Sequence, residues 1–371
     1  MIALVCLSLL GLLLSLAVFN IFTVARLESE KDAPRGSQLR LSVLIPARNE
    51  AHNLKALLPA LLNSRIQPYE IILLDDNSDD ETSAVARQIL EKASTPFRIL
   101  RGDSWSRDLG LTGKSHACWQ LAEAASGDIF LFCDADVLPS QNAIGRTLNF
   151  LSRAECAGLS GLPKQITCGE RERLTLPWIV QIPLLTLLPL SFGWRSRFPS
   201  LQMANGQWLA VHRDRYEEVG GHRALGGDLL DDVALARRLA DRHRGGLVPV
   251  LSVLDLSVKM YLNWDDMRQG FSKNIVQMYG GTRAIFSLCL FAWVALFSFP
   301  LWGLFFNPSA ALAGAILILA IRLFACSLFQ ERRSDLWAHA RSLFWLVTLG
   351  ANAVRTYGTA RIQWKGRDVS F

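Results

Sequence analysis

GDIFLFCDADVLP, residues 127–139, carries an unbroken apolar segment over 129–133 that ends in two aspartates, Asp134 and Asp136, one residue apart. A short apolar run bounded by turn-forming residues reads as a strand buried on both faces. Its acidic end has two readings. One is a polar turn where a buried strand meets water, because Asp favours turns. The other is a carboxylate pair placed for a cation. Taken alone, the pair is weak evidence for the second.

The neighbouring sequence repeats the pattern. LSVLIPA (41–47) and EIILLDD (70–76) read as further buried strands. LKALLPALL (54–62), DETSAVARQILEKA (80–93) and GKSHACWQLAEAASG (113–127) read as helices between them. Strands alternating with helices predict an α/β fold, a mostly parallel sheet flanked by helices. In such sheets ligands gather beyond the carboxyl ends of the strands. Here three strand ends carry polar groups: PARNE (46–50), DDNSDD (75–80) and DAD (134–136). Turn chemistry explains any one of them, but less readily all three, so the balance shifts towards a site.

A divalent cation such as Mg²⁺ or Mn²⁺ takes oxygen ligands and leaves places for substrate phosphate, which one or two strand-end carboxylates allow. Lys114 stands near a predicted helix start, either as a solvated lysine or as a contact for a phosphate or a base carbonyl. A further acidic cluster, GGDLLDDVALARRLA (226–240), opens a helix. Asp231 and Asp232 there either cap the helix and favour its dipole or supply a general base.

The chain has 371 residues, half of them apolar and unevenly spread. Residues 2–25 carry no charge and are long enough for a bilayer core of roughly 20 residues; we expect an uncleaved transmembrane helix over 1–26. The 38 residues from Ala284 to Ile321 are also uncharged, and we expect a transmembrane pair over 284–329 that breaks near NPSA (307–310). Residues 336–354 read as a short membrane or interfacial helix, and 355–371 as a basic tail. LTLPWIVQIPLLTLLPLSFGW (174–194) has no charge but has prolines at 177, 183 and 189, which an uninterrupted spanning helix tolerates poorly. It reads as interfacial pieces lining a lipid entrance, with Trp178 and Trp194 at headgroup level and Arg195 and Arg197 near lipid phosphates.

Arg26, Lys31, Arg35 and Arg40 follow the first apolar run, so the positive-inside rule leaves the middle region, 38–283, in the cytoplasm. Arg332, Arg333, Arg355, Arg361, Lys365 and Arg367 want the same side. The net charge of +6 suits an anionic membrane surface. We expect no nucleic-acid partner, because the basic residues are dispersed and no stacking motif accompanies them. The seven cysteines show no metal-ligand spacing and read as small hydrophobes in a reducing compartment.

Together, LSVLIPARNEAHNL, YEIILLDDNSDDET, LTGKSHACWQ, GDIFLFCDADVLP, MANGQWLAVHRDRYEEVGGH and LLDDVALARRL resemble, in order over about 240 residues, the inverting nucleotide-sugar glycosyltransferases of family two, which have the GT-A fold. NGQWLAV, VKMY, GFSKN and WKGR are most similar to the membrane-bound bacterial enzymes that glycosylate carotenoids, and to hopanoid-associated and ceramide-type relatives. The customary acid–aspartate pair is Asp–Asp here. The Q-x-x-R-W motif of processive synthases is missing, with RQGFSKN (268–274) a loose counterpart.

The resemblance implies site roles. Pro46, Arg48 and Glu50 would line the nucleotide-sugar pocket, Asp76 would meet uracil, and Lys114 would approach the nucleotide. Asp134 would serve the ribose or the metal, and Asp136 the metal on the diphosphate, with Mg²⁺ or Mn²⁺ as cofactor. Asp232 would be the base beside Asp231. Gln207, Trp208, Gln269 and Lys273 would stand on the acceptor or diphosphate side. It also implies a UDP-sugar donor, a membrane lipid acceptor and a catalytic domain on the cytoplasmic face of a bacterial inner membrane. Other readings are a polyprenyl-phosphate acceptor and a non-catalytic scaffold that binds nucleotide-sugar.

Overall fold

The structure is a computed structural model that describes residues 1–27, 39–106, 109–242, 245–358, 362–364 and 367–369, with the side chains of Lys273, 362–364 and 367–369 left aside. Lys31, Arg35, Arg361 and Lys365 therefore lie outside the described residues. The chain divides into two compact units, Val24–Gln165 with Leu190–Lys259, and Met1–Thr23 with Ile166–Pro189 and Met260–Phe371.

The first unit is built on an eight-stranded sheet in the order Ala25–Arg26, Leu247–Leu251, Gly158–Leu162, Trp208–His212, Ile129–Cys133, Leu41–Ala47, Glu70–Asp75, Phe97–Arg101. All neighbours are parallel except Trp208–His212, which runs antiparallel to both of its partners. The apolar runs of the sequence become these strands because each is covered on both faces: every residue of Ile129–Cys133 is buried, as is all of Leu41–Ala47 except the partly covered Pro46. Leu54, Leu57, Leu58 and Leu61, at the spacing of one helical face, are all fully buried on helix Ala51–Leu62. Truncating one of them to alanine would cost about 2–5 kcal/mol.

The register aligns Ala47 with Asp75, and Leu44 with Phe132. The acidic ends of three adjacent strands therefore leave the sheet on one side. A small second sheet pairs Val137–Pro139 with Leu256–Val258, and Leu256–Val258 with Lys164–Gln165. It anchors the chain directly after Asp136, whose carbonyl accepts the Lys259 N–H at 3.4 Å.

The second unit is helical. Ile2–Thr23 and Pro308–Phe329 are the two described helices long and apolar enough to cross a membrane. At 22 residues each they run about 33 Å. Arg283–Phe297 is shorter, and a new helix starts at Pro308: Asn307 caps it, its side chain accepting the Ala310 N–H at 3.0 Å, with Pro308 in the first turn. Trp264–Met278 and His339–Thr356 also belong to this unit.

The proline-rich segment packs within the helical unit. It forms helix Glu170–Leu176, a wider turn at Pro177–Gln181 and helix Ile182–Leu187, and most of its side chains from 174 to 186 are buried. Trp178 is buried edge-on against Phe297 and His339, so its ring is packed against protein. Two of its prolines explain two buried polar contacts. A proline four residues on deprives a helical carbonyl of its N–H donor, and side chains replace the donors. The Tyr279 hydroxyl donates to the Ile179 carbonyl, four residues before Pro183. Fully buried Asn20 donates to the Leu185 carbonyl, four before Pro189, at 2.8 Å, and to Leu188 at 2.7 Å. These partners all belong to the helical unit, which is why 166–189 and 260–283 fold there instead of with the expected 38–283 domain.

Candidate active site

The first two acidic strand ends lock into each other. Asn49 and Asn77 both take left-handed backbone, with φ of 54° and 53°, which Asn tolerates better than most residues. The Asn49 N–H donates to the Ser78 hydroxyl at 3.0 Å, and the Asp79 N–H to the Asn49 side chain at 2.7 Å. Asp75 accepts from the Ser78 N–H at 2.9 Å and from the Ser83 hydroxyl. Asp80 accepts from Thr82 and from the Ala51 N–H. Burial pushes Asp80 upward, but these donors outweigh it and hold the carboxyl below its ordinary range. Gly102 fits against this turn because a Cβ there would meet the Leu74 side chain at 2.9 Å.

Arg48 braces the same turn, donating to the carbonyls of Asp76 and Asn77 at 2.7 and 2.8 Å. Glu50 is buried, with a carboxylate oxygen accepting from Asn53 at 2.7 Å. Asp76 is buried beside them, its N–H donating to the Ala47 carbonyl at 2.8 Å, and Pro46 is half-buried at the end of its strand. These four residues form one braced rim.

The third strand end is different. Thr112 caps helix Gly113–Ala124 by accepting the Ser115 N–H at 3.0 Å, which sets Lys114 in the first turn. Its ammonium lies 2.8 and 2.9 Å from the two Asp134 oxygens. Burial would lower Lys114, but Asp134 and Asp231 outweigh it and hold the ammonium well above its ordinary pKa. Asp136 has a buried Oδ1 with no hydrogen-bond partner. Burial, then the Asp134 charge, push its carboxyl up to about 7.

Asp231 and Asp232 open helix Asp231–Arg242. Asp232 accepts the Gly206 N–H at 2.8 Å through Oδ2 and the Val233 N–H at 2.8 Å through Oδ1. Burial and the adjacent Asp231 nevertheless push it up to about 7. The second oxygen of Asp231 is buried and unpaired. Gly206 links the two groups: a Cβ on it would lie 3.3 Å from the Lys114 ammonium and 3.5 Å from the Asp232 Cβ. Lys114, Asp134 and Asp232 thus gather around one glycine, with Asp136 next along the strand end. Gly206 was not singled out in the sequence; its place between Asn205 and Gln207, just before strand Trp208–His212, was the available signal.

The donor set fits a hard divalent cation. Asp134 and Asp136 present carboxylate oxygens, the chemistry Mg²⁺ and Mn²⁺ take, and the orphaned Asp136 Oδ1 is an acceptor that lacks a partner. Among the described residues no group of three His, Cys, Asp or Glu is placed to hold a metal. A cation here would therefore take its remaining ligands from outside the chain.

The acceptor-side expectations divide. Gln207 is buried close by, its side-chain oxygen accepting from Asn205 at 3.0 Å. Trp208 is a correction: its ring is fully buried and its indole N–H donates to Thr147 at 3.0 Å, so it serves the core. The strand alternates faces, which turns Trp208 away from its neighbour's environment. Gln269 is exposed on helix Trp264–Met278 of the helical unit. Lys273 is on the same helix, and its side chain lies outside the described residues. Behind the site, buried His222 pairs its Nδ1 with the Tyr216 hydroxyl at 2.9 Å. Burial first, then Lys114, pushes His222 down to about 3, so the ring is neutral and structural.

The mostly parallel sheet with helices on its faces has the GT-A fold, shared with a solved glycosyltransferase structure. Residues 42–220 match the family model described as Glycosyl transferase family 2, so the chain carries a domain of that family. It is similar to the 4,4'-diaponeurosporenoate glycosyltransferase of Staphylococcus haemolyticus (strain JCSC1435), 25% identical over 258 residues covering 68% of this chain and 66% of that one. The Staphylococcus aureus (strain MRSA252) protein of the same name is 25% identical over 262 residues, 68% and 65% of the two chains. In both cases the match spans just under two thirds of the relative. Among solved structures, the mannosyltransferase PcManGT from Pyrobaculum calidifontis, in complex with GDP-Man and Mn²⁺, shares the fold at a TM-score of 0.55 and 16% identity, covering 95% of this chain and 99% of that one.

Proposed function

We propose that this protein is a metal-dependent, inverting glycosyltransferase that moves one sugar from a nucleotide-sugar, UDP-linked, to a hydroxyl or carboxyl of a hydrophobic membrane lipid, giving a β-glycoside. The observation that carries the reading is the gathering of Lys114, Asp134 and Asp232 around Gly206 beside the unpaired Asp136. The carotenoid-related names of the relatives and two helices long enough to cross a membrane support a lipid acceptor. The arginines after the first helix support a catalytic unit on the cytoplasmic face of a bacterial inner membrane.

Pro46, Arg48, Glu50 and Asp76 would form the base-side rim, with Asp76 reaching the base. Lys114 would neutralise charge on the diphosphate. Asp134 and Asp136 would hold Mg²⁺ or Mn²⁺, which when bound supplies electrostatic stabilisation of the departing diphosphate. Asp232 takes the acceptor proton as the acceptor oxygen bonds to the anomeric carbon. The bond from that carbon to the diphosphate oxygen breaks, and its electron pair leaves on the nucleoside diphosphate. A carboxyl pushed up to about 7 suits this base, because a general base works best with a pKa near the operating pH.

The test is incubation of purified full-length protein with UDP-sugars and extracted bacterial lipids. A new glycolipid by mass spectrometry, lost with EDTA and restored by Mn²⁺ or Mg²⁺, is the expected result. Nucleotide-sugar binding without any product across the lipid panel would overturn it.

A further inference from the structure

Within the helical unit lies a cleft remote in sequence from the acidic residues described above, lined among others by Arg173, Gln181, Arg322, Glu331, Arg332 and Asp335. We propose that it binds the headgroup of an anionic phospholipid, a phosphodiester whose alcohol carries hydrogen-bond donors. The inference stands on this unit alone and does not rest on the transfer reading.

Arg322 is the first reason. It lies on the apolar helix Pro308–Phe329 and is only 8% exposed. Ionisable residues in such helices are costly and mark functional sites. Its guanidinium donates to the carbonyls of Leu336 and Asp335, so it fixes the turn that follows the helix. That turn in turn fixes Arg173, whose Nε donates to Asp335 at 2.7 Å. The terminal N–H groups of Arg173 remain for a ligand. Arg332 is exposed at the cleft, and its guanidinium has no partner among the described residues.

Gln181 is the second reason. It lines the cleft and is 1% exposed, and it donates to Glu331 at 2.7 Å while its own oxygen is buried without a donor. A bare phosphate offers little to that oxygen; a headgroup hydroxyl supplies the missing donor. Gln181 also belongs to the wide turn Pro177–Gln181, and such turns recur at functional sites.

The level along the helix is the third. Arg322 stands seven residues before Phe329, about 10 Å along the axis. Trp337 beyond it is 89% exposed, near exposed Arg332 and Arg333. Exposed tryptophan with arginine at the end of an apolar helix is the signature of the membrane–water interface, where phospholipid phosphates lie.

The experiment is native mass spectrometry of the full-length protein equilibrated with mixed vesicles of phosphatidylglycerol and phosphatidylcholine, with inorganic phosphate as a separate arm read by thermal unfolding. Phosphatidylglycerol is expected to be retained preferentially, with Arg332→Ala lowering its retention about five-fold and Arg332→Lys keeping most of it. Equal retention of the two lipids would overturn the proposal, as would an Arg332→Ala protein indistinguishable from the parent. Inorganic phosphate stabilising the protein as well as phosphatidylglycerol does would overturn the lipid assignment in favour of a free anion.

Discussion

Residues 75–80 and 134–136 are both acidic ends of buried strands in the same sheet, yet Asp75 and Asp80 in the first and Asp136 in the second are in opposite states. In the first, Asp75 and Asp80 are used up by local donors, from Ser78, Ser83, Thr82 and Ala51. In the second, Asp136 keeps a buried oxygen with no partner, and burial has pushed its proton affinity up instead of down. A buried acceptor left unsatisfied costs about 1–3 kcal/mol, and folds tolerate such costs where function needs them. The lesson is that a strand-end aspartate is assigned by what its oxygens already hold, not by its residue type.

The sharpest way to break this contrast is Asp136→Asn. Turnover should fall by at least about 10², the scale of losing one electrostatic contributor, while the thermal unfolding temperature stays level or rises because a buried charge is gone. Turnover and unfolding temperature measured on one preparation decide it, and a destabilised but active variant would place Asp136 with the turn residues. Asp75→Ala should do the reverse at smaller size. It leaves the Ser78 N–H and the Ser83 hydroxyl without their acceptor, and should lower stability by about 1–3 kcal/mol in denaturant unfolding. Any activity loss should be recovered at lower temperature, where the turn refolds.

The sheet and its helices were legible in the sequence because charged residues punctuate the strands: LSVLIPA and the apolar core of GDIFLFCD became strands with boundaries within a residue or two. The convergence of Lys114 with Asp134 was legible only as order along the chain; its geometry needed the Thr112 cap and the sheet register. Gly206 gave only a positional signal, since its contribution is a backbone N–H and an absent side chain. Trp208 misled because one residue along a strand changes faces. The apolar segments were least legible. Hydropathy gave lengths but not partners, so the burial of Trp178 and the roles of Asn20 and Tyr279 as substitutes for proline's missing donors emerged only in three dimensions.

The central claim is that Asp232, held up near 7 by burial and Asp231, removes the acceptor proton. Its most direct measurement is the pH dependence of kcat/KM for the wild type and for Asp232→Asn at saturating Mn²⁺, where a bound cation would keep Asp136 ionised and leave Asp232 to set the limb. The base acts only when deprotonated, so the wild-type rate should climb about ten-fold per pH unit below 7 and level off above it. Asp232→Asn should lie about 10²–10⁴-fold lower and lose that limb. A variant that keeps the wild-type rate, or that keeps the same rising limb at lower rate, would contradict the account.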